Sequence, residues 1–504
     1  MSTAKKFAGQ TLVYGISTIA SRVLTFFMTP FYTRAYALGA NGIITTMYSY
    51  VSMTNALLTF GMETTFFRYL NKHADNKQKV YNNAFASVVA VTVLFLIFTL
   101  PFIGHIAGFI DINHAAKAAN TKTAEGASPL DFLKYTYLFL AIVIVDAWCA
   151  IPFVKLRADG KPMRYGIIKL ASVLIFIAFN MIFIYVLPFW VTHNFVGAGW
   201  ISSWYVPKWV GYVFISELIS SLVTLLVLLP ELLKVRFEFD KAMLWSMYSY
   251  SWPVLIANLS YLVNENMDKI LLGQLLPGDA ARDVGVYGAC AKIAVFLSVF
   301  VNAFRLGAEP FFFNHAKNKN AGQTYARIMD YFVIAICAIF IGIVANIEII
   351  KQIWVTPIYW VGLRVVPPLL FGYVSLGIYM NLSIWYKLSD QTKYGLYISG
   401  VGAILTIVLN VMFIPKYSYM ASAWISLIAY TVMMILSYIW GQKNYPIPYS
   451  VAKNLAYIVA AVIVVYLSFY VFNRNIFIGD ALLLGYVAVA FYFEGANLKA
   501  IFKR

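Results

Sequence analysis

Charged residues are scarce in this chain. Asp, Glu, Lys and Arg make up 12% of its 504 residues, where soluble domains carry about 25%. That scarcity excludes an ordinary water-soluble enzyme. Cysteine is rare too. Cys149, Cys290 and Cys337 are the only three. All lie in apolar stretches, and none has metal-ligand or disulfide-framework spacing. The five histidines, His73, His105, His114, His193 and His315, sit in loops or at the ends of apolar stretches, again without ligand spacing. No glycine-rich loop of the phosphate-cradling kind occurs, so direct nucleotide use is not expected; no cofactor or metal is implied. No polar stretch is long enough for a catalytic domain. The longest, 111–131, holds Asp111, His114, Glu125 and Asp131 among small residues, without a compact acid pair. The first apolar stretch has no small-residue cleavage site after a short apolar core, so it reads as a retained helix.

What the chain has in excess is apolar surface: 61% of residues are hydrophobic and the mean hydropathy is +0.74. The apolar runs are about 20 residues long, the helical length that crosses a hydrocarbon core of about 30 Å. An outer-membrane barrel would alternate in segments of about ten. The chain therefore reads as an all-α polytopic membrane protein. About fourteen spans are expected, at 7–32, 43–67, 82–110, 133–154, 166–188, 208–230, 244–266, 285–308, 326–350, 359–384, 394–414, 419–440, 450–472 and 476–493.

The formal charge of +17 would suggest a nucleic-acid partner in a soluble protein. Here it is loop lysine and arginine that orient a membrane protein, and no nucleic-acid partner is implied. One set of loops holds Lys72, Lys77 and Lys79; Lys155, Arg157, Lys161 and Arg164; Lys234, Arg236 and Lys241; Lys317, Lys319 and Arg327; Lys387 and Lys393; Lys443 and Lys453. The alternate loops are sparser, with Arg34, Lys117, Lys122, Lys208, Arg282, Lys351, Lys416 and Arg474. The bias puts both termini in the cytoplasm, which requires an even number of spans.

Arg22 interrupts the first span. It lies ten residues before Tyr32, roughly 15 Å of helix rise, so near mid-membrane. A guanidinium there costs at least about 2.5–3.5 kcal/mol. It needs a wet cavity or an anion, and no acid lies within a helical turn of it in its own span.

The chain also repeats itself. Gly61-Met62-Glu63, followed by Phe66-Phe67, matches Gly307-Ala308-Glu309, followed by Phe312-Phe313. Arg164-Tyr165-Gly166 leads to Asn180, as Lys393-Tyr394-Gly395 leads to Asn410. Gly199-Trp200-Ile201-Ser202 then matches Ala423-Trp424-Ile425-Ser426. The matches keep their order about six spans apart. They predict two parallel six-helix repeats with a site near the bilayer midplane between them. The repeats divide the chain into lobes at 1–233 and 234–441, with two extra helices and a cytoplasmic tail at 442–504.

Several of these residues carry a family resemblance. Arg22, Pro30, Thr33-Arg34 and Gly42 open the chain; Pro253, Asp268-Lys269, Gly273, Gly285, Tyr287, Lys292 and Pro310 open its second half. Arg157 follows Ile151-Pro152, and Asn410 leads to Ile414-Pro415. With these motifs the whole chain resembles the polysaccharide flippase family of the multidrug/oligosaccharidyl-lipid/polysaccharide exporter superfamily. In that family glycines follow the Asn410 segment; 417–422 contains none. The resemblance implies a multi-pass protein of the bacterial inner membrane that acts by alternating access. Its cargo would be a polyprenyl-diphosphate-linked oligosaccharide, moved from the cytoplasmic to the outer leaflet for surface polysaccharide synthesis. Partners would be that lipid and the bilayer, with the protein acting as a monomer.

Such a cargo needs cations for its diphosphate, a polar wall for its glycan and a side opening for its tail. Arg22 is the first candidate, since a guanidinium fork donates two bonds at once. An inter-helix salt bridge or a bare cavity wall are its other readings. Lys292 would bind phosphate or pair with Asp268. Lys169 would bind cargo or snorkel to the cytoplasmic face. Arg305 stands four residues before Glu309, the spacing of a helical ion pair, with an inner gate as the other reading. Glu63 and Glu309, as repeat equivalents, are gate candidates, and Asp268 joins them or caps a helix end with Glu265 and Lys269. Asp146 and Glu217, near mid-span, are proton or sodium coupling candidates, or structural hydrogen-bond acceptors. Two other functions compete. A cation-coupled exporter of small amphipathic compounds would suit an acid in the first span, which is absent, whereas a net basic cavity suits the flippase. A membrane glycosyltransferase or polymerase would need acids or a histidine in a sizeable outer loop.

Overall fold

The structure is a computed structural model describing residues 3–112, 128–236, 240–276, 279–316, 318, 320–389 and 391–502. His114, Lys117, Lys122 and Glu125 of the long outer loop, and Lys317 and Lys319, lie outside the described residues. Among the described residues every regular element is helical. The chain divides into two compact units, 1–288 and 289–504.

Unit 1 contains α1 (Thr3–Phe26), α2 (Met28–Ala35), α3 (Leu38–Thr59), α4 (Met62–Lys72), α5 (Lys77–Thr99), α6 (Ile103–Ile110), α7 (Pro129–Ala158) and α8 (Pro162–Met181). It continues with α9 (Leu187–Thr192), α10 (Ala198–Trp204), α11 (Gly211–Leu232), α12 (Lys241–Leu275) and the opening turns of α13 (Ala280–His315). Within it α7 packs on α11, α3 on α12 and α1 on α8. Its core buries Ile43, Met47, Phe66, Tyr81, Val143 and Phe214. Local chemistry sets the helix starts. Asp131 accepts a hydrogen bond from the Ser128 backbone N–H at 2.9 Å while Ser128 Oγ accepts from Asp131 N–H, a capping box at the head of α7. Asp240 accepts from Met243 N–H at 3.0 Å and caps α12.

Unit 2 holds the rest of α13 and then α14 (Ala321–Ala345), α15 (Ile347–Trp354), α16 (Val366–Leu382), α17 (Ile384–Leu388), α18 (Lys393–Asn444), α19 (Val451–Tyr466) and α20 (Ile476–Phe502). Here α16 packs on α18, and α14 packs on α16, α19 and α20. Inside α18, Ser418 takes φ 51° and ψ −145° and divides the expected spans 394–414 and 419–440. This is left-handed backbone that glycine usually supplies, met by a serine in a segment without glycines.

Among the described residues, ten helical segments are long and apolar enough to cross a membrane, Lys393–Asn444 counted as one. The expected spans 7–32, 43–67 and 244–266 are not among them. They fall on α1 with α2, α3 with α4, and α12. Their polar side chains dilute the hydropathy, and those side chains have a destination described below.

The sequence repeat has one local counterpart and one difference. Asn180 Oδ1 accepts from Tyr32 Oη at 3.0 Å and its Nδ2 donates to Phe176 O at 2.8 Å. Asn410 Oδ1 accepts from Ser422 Oγ at 2.7 Å and its Nδ2 donates to Thr406 O at 2.7 Å. Both asparagines are buried; Asn180 ties α8 to α2, whereas Asn410 ties the two halves of α18 across the kink at Ser418. Gly61 and Gly307 differ. Gly61, at φ +66°, breaks the chain between α3 and α4, whereas Gly307 lies inside unbroken α13.

The tightest packing in unit 1 joins α3 to the start of α13. A Cβ on Gly42 would lie 1.8 Å from Ala281 O, and one on Gly285 would lie 1.9 Å from Leu38 O. Small residues that let helix backbones touch are a main source of association where lipid is as apolar as the side chains. Gly285→Val is expected to destabilise the protein by about 1–3 kcal/mol or more, read as a lower unfolding temperature in detergent. An unchanged unfolding temperature would show that the helices can separate freely.

Candidate functional site

The polar side chains of the less apolar helices converge on a cavity of about 630 Å³ within unit 1. α1 contributes Ser21, α3 contributes Asn55 and Thr59, α4 contributes Glu63 and Thr64, and α12 contributes Asn258 and Tyr261. The remaining wall comes from three apolar helices, each through one stripe. On α7 the stripe is Asp146, Phe153 and Arg157; on α8 it is Lys169 and Ser172; on α11 it is Glu217, Ser221 and Thr224. Spacings of three, four and seven put such residues on one helix face, so a hydrophobic span can present a polar inner edge.

Two of the three carboxylates are held by neutral donors. Asp146 accepts from Ser221 Oγ at 2.6 Å and from Asn55 Nδ2 at 3.4 Å. Glu217 accepts from Tyr48 Oη at 3.4 Å. Asn55 Oδ1 is buried without a hydrogen-bond partner. The cations have no carboxylate within ion-pair distance among the described residues; they rest on aromatic faces instead. Lys169 Nζ lies 4.5 Å from the Phe153 ring centre, and the Arg157 guanidinium lies 5.2 Å from that of Phe67 and 5.9 Å from that of Tyr14. A cation held by a ring quadrupole keeps its charge available to an incoming anion.

Of the residues singled out from the sequence, Lys169, Glu63, Asp146 and Glu217 meet at this cavity. Arg22 does not line it, although its neighbour Ser21 does. Arg22 is exposed and makes no ion pair among the described residues. Asp268 is buried apart from the cavity lining, accepting from Tyr287 Oη at 2.5 Å and Lys269 Nζ at 2.9 Å. A cap at the helix end is corrected, because α12 continues for two turns beyond it to Leu275. In unit 2, Glu309 pairs with Lys387 of α17. The expected Arg305–Glu309 pair is not formed, since Lys387 takes the carboxylate; Arg305 lines the same small crevice. Lys292 is half-buried in unit 2.

The net basic cavity expected from the sequence is also corrected for this wall. Its lining carries two cations, Arg157 and Lys169, and three carboxylates, Glu63, Asp146 and Glu217. The expectation counted Arg22, Lys169 and Lys292, and of these only Lys169 lines this wall. Sequence reasoning passed over Asn55, Ser221 and Tyr48, and treated Arg157 as a family feature only. Two signals were available: Ser221 is four residues after Glu217, and Arg157 is eleven after Asp146, both on one face.

Comparisons with known proteins give the family and the fold. A family model described as polysaccharide biosynthesis protein matches residues 7–309, and another, MatE, matches residues 253–412. The fold is similar to that of lipid II flippase MurJ in an inward closed conformation. The TM-score is 0.70 at 13% identity, covering 95% of this chain and 99% of that one. It is also similar to an inward-facing multidrug resistance MATE family transporter of the MOP superfamily. There the TM-score is 0.62 at 14% identity, covering 86% of this chain and 94% of that one. No curated protein matches by sequence.

The cavity side chains divide into structural and available groups, and stability separates them. Asp146→Ala strands the Ser221 hydroxyl and the Asn55 amide and is expected to cost about 1–3 kcal/mol. Arg157→Ala and Lys169→Ala break no ion pair and are expected to stay within about 0.5 kcal/mol of wild type. Thermal unfolding in detergent reads both; a large loss in either cation variant would assign that cation to holding the fold.

Proposed function

The chain belongs to the polysaccharide biosynthesis protein family, and from that premise we propose that it flips a polyprenyl-diphosphate-linked oligosaccharide. The movement would run from the cytoplasmic to the outer leaflet of a bacterial inner membrane, by alternating access of lobes 1–233 and 234–441. The protein would act as a monomer, with both termini in the cytoplasm. The observation that carries this reading is the pair of cations, Arg157 and Lys169, that face the cavity with no carboxylate within ion-pair distance among the described residues. A diphosphate supplies the missing anions. The guanidinium fork matches it in a bidentate way, and the lysine adds a point charge. Hydroxyls and amides such as Ser172, Thr224, Asn258 and Asn55 suit a glycan, whose hydroxyls both donate and accept. The apolar tail needs no cavity, because it stays in the bilayer.

The remaining residues take subsidiary roles in this reading. Arg22, beside the cavity edge, and Lys292, from the second lobe, join the diphosphate as it passes. Glu63 at one inner helix end and Glu309 with Lys387 and Arg305 at the other act as gates, with Asp268 in the set. Asp146 and Glu217 take a proton or sodium ion, which couples the lobes to an ion gradient. A second reading, a cation-coupled exporter of small amphipathic compounds, is favoured by the excess of carboxylates over cations in the cavity lining.

Flipping of a fluorescent polyprenyl-diphosphate oligosaccharide in proteoliposomes is the direct test. A charge-assisted hydrogen bond is worth about 1.5–3 kcal/mol. Arg157→Ala with Lys169→Ala is therefore expected to reduce flipping by at least ~10-fold, and Asp146→Asn with Glu217→Gln to remove its dependence on a proton or sodium gradient. Undiminished flipping by the cation variant would refute the diphosphate site. If amphipathic cations raise the unfolding temperature and polyprenyl diphosphates do not, the exporter reading replaces this one.

A further inference from the structure

The unit 1 cavity is polarised along its length. Arg157 lies in the last turn of α7, at the end of the span Leu130–Ala158. Lys169 is held beside it, against Phe153 one turn earlier on α7. Asp146 stands eleven residues before Arg157 and lines the same wall, roughly 16 Å away in helix rise. Glu217 is one helical turn from Ser221, which donates to Asp146 at 2.6 Å, so the two acids share the deeper part of the wall. A diphosphate seated on Arg157 and Lys169, with its apolar tail in the bilayer, leaves the rest of the cavity to the glycan. At about 630 Å³ that space is of the size that encloses a small organic ligand, so it takes the first sugars rather than a polymer.

The deeper wall presents acceptors rather than donors. The Ser221 hydroxyl and the Asn55 amide are committed to Asp146. Thr224 Oγ1 donates to Ser220 O at 2.8 Å, and Tyr48 Oη to Glu217 at 3.4 Å. Beyond Arg157 and Lys169 the lining holds no lysine, arginine or histidine among the described residues. We infer, resting on the flippase reading, that the sugars next to the diphosphate are neutral and that acidic sugars such as hexuronates are rejected. A neutral sugar brings a proton on every hydroxyl and can donate each one to an oxygen of the wall. A hexuronate carboxylate brings only lone pairs. Where Asp146 and Glu217 are ionised it meets like charge; where a proton or sodium ion occupies them it still finds no lysine or arginine of its own, because the diphosphate holds both. Discrimination here comes from an unmet charge on the wrong cargo.

The test compares two fluorescent polyprenyl-diphosphate disaccharides that differ in one group, the primary alcohol of a hexose being oxidised to a carboxylate in the second. Full-length protein in proteoliposomes is expected to flip the neutral lipid at least ~10-fold faster than the hexuronate lipid. In detergent the neutral lipid is expected to raise the unfolding temperature more at equal concentration. Asn258 lines the cavity and is exposed there. Asn258→Lys adds a cation to the wall and is expected to raise the ratio of hexuronate to neutral flipping, whereas Asn258→Gln, which adds length without charge, leaves that ratio near wild type. Equal flipping of the two lipids by wild type, or faster flipping of the hexuronate, would overturn the inference and leave the flippase reading standing. A ratio that Asn258→Lys does not move would overturn charge as the cause. If neither lipid is flipped and neither shifts the unfolding temperature, the flippase reading itself fails and this inference with it.

Discussion

In the hydrocarbon of a bilayer a polar or charged group must find a protein partner or a wet pocket, because no other solvent reaches it. Every informative feature of this protein follows from how its few such groups meet that condition. Glu231, fully buried at the end of α11, is met by Arg164 at 3.0 Å, Lys234 at 2.8 Å and Lys161 at 3.9 Å. That carboxylate is satisfied internally and serves the fold. Arg157 and Lys169 are the opposite case: they lie against rings and open on a cavity. The difference between a structural charge and an available one is the presence of a protein counter-ion, and it is visible only when the helices are assembled.

The helices themselves associate for a reason that differs from soluble proteins. Apolar side chains gain little by leaving lipid for one another, so close backbone approach and hydrogen bonds between spans do more of the work. Gly42 and Gly285 allow carbonyl-to-glycine contact between α3 and α13. Buried Asn180 and Asn410 accept hydroxyls from Tyr32 and Ser422. Ser221 Oγ and Asn55 Nδ2 donate to Asp146. Each is one polar bond in a setting where an unpaired group is costly.

The charge balance of the cavity wall connects the structure to the work of the proposed flippase. Cations alone would hold a diphosphate and not release it. Asp146 and Glu217 on the same wall, held by neutral donors, give that wall a second set of charges. Function resides in sites placed on folds. In this chain the balance lies in a few side chains of α4, α7, α8 and α11.

Much was legible in the residues themselves. Long apolar runs announced helices across a membrane, because the bilayer leaves few other ways to satisfy the backbone. Asp146, Glu217, Lys169 and Glu63 stood out because charge is expensive inside such runs, and the four do meet. The helices α1, α3 with α4, and α12, which lie in the least apolar expected spans, proved to line the cavity; their polarity was in the sequence, its direction was not. Partner choice was beyond it. The sequence favoured Arg305 for Glu309 by helical spacing, and Lys387 holds it instead. The candidate cations Arg22, Lys169 and Lys292 suggested a basic cavity, and the wall has more acids than cations. Spacing along one helix decides which residues share a face, and the amino-acid sequence determines that by itself. Which faces meet, which acid reaches which base and which charge is left for a ligand depend on packing between helices far apart in the chain, and only the tertiary structure decides them.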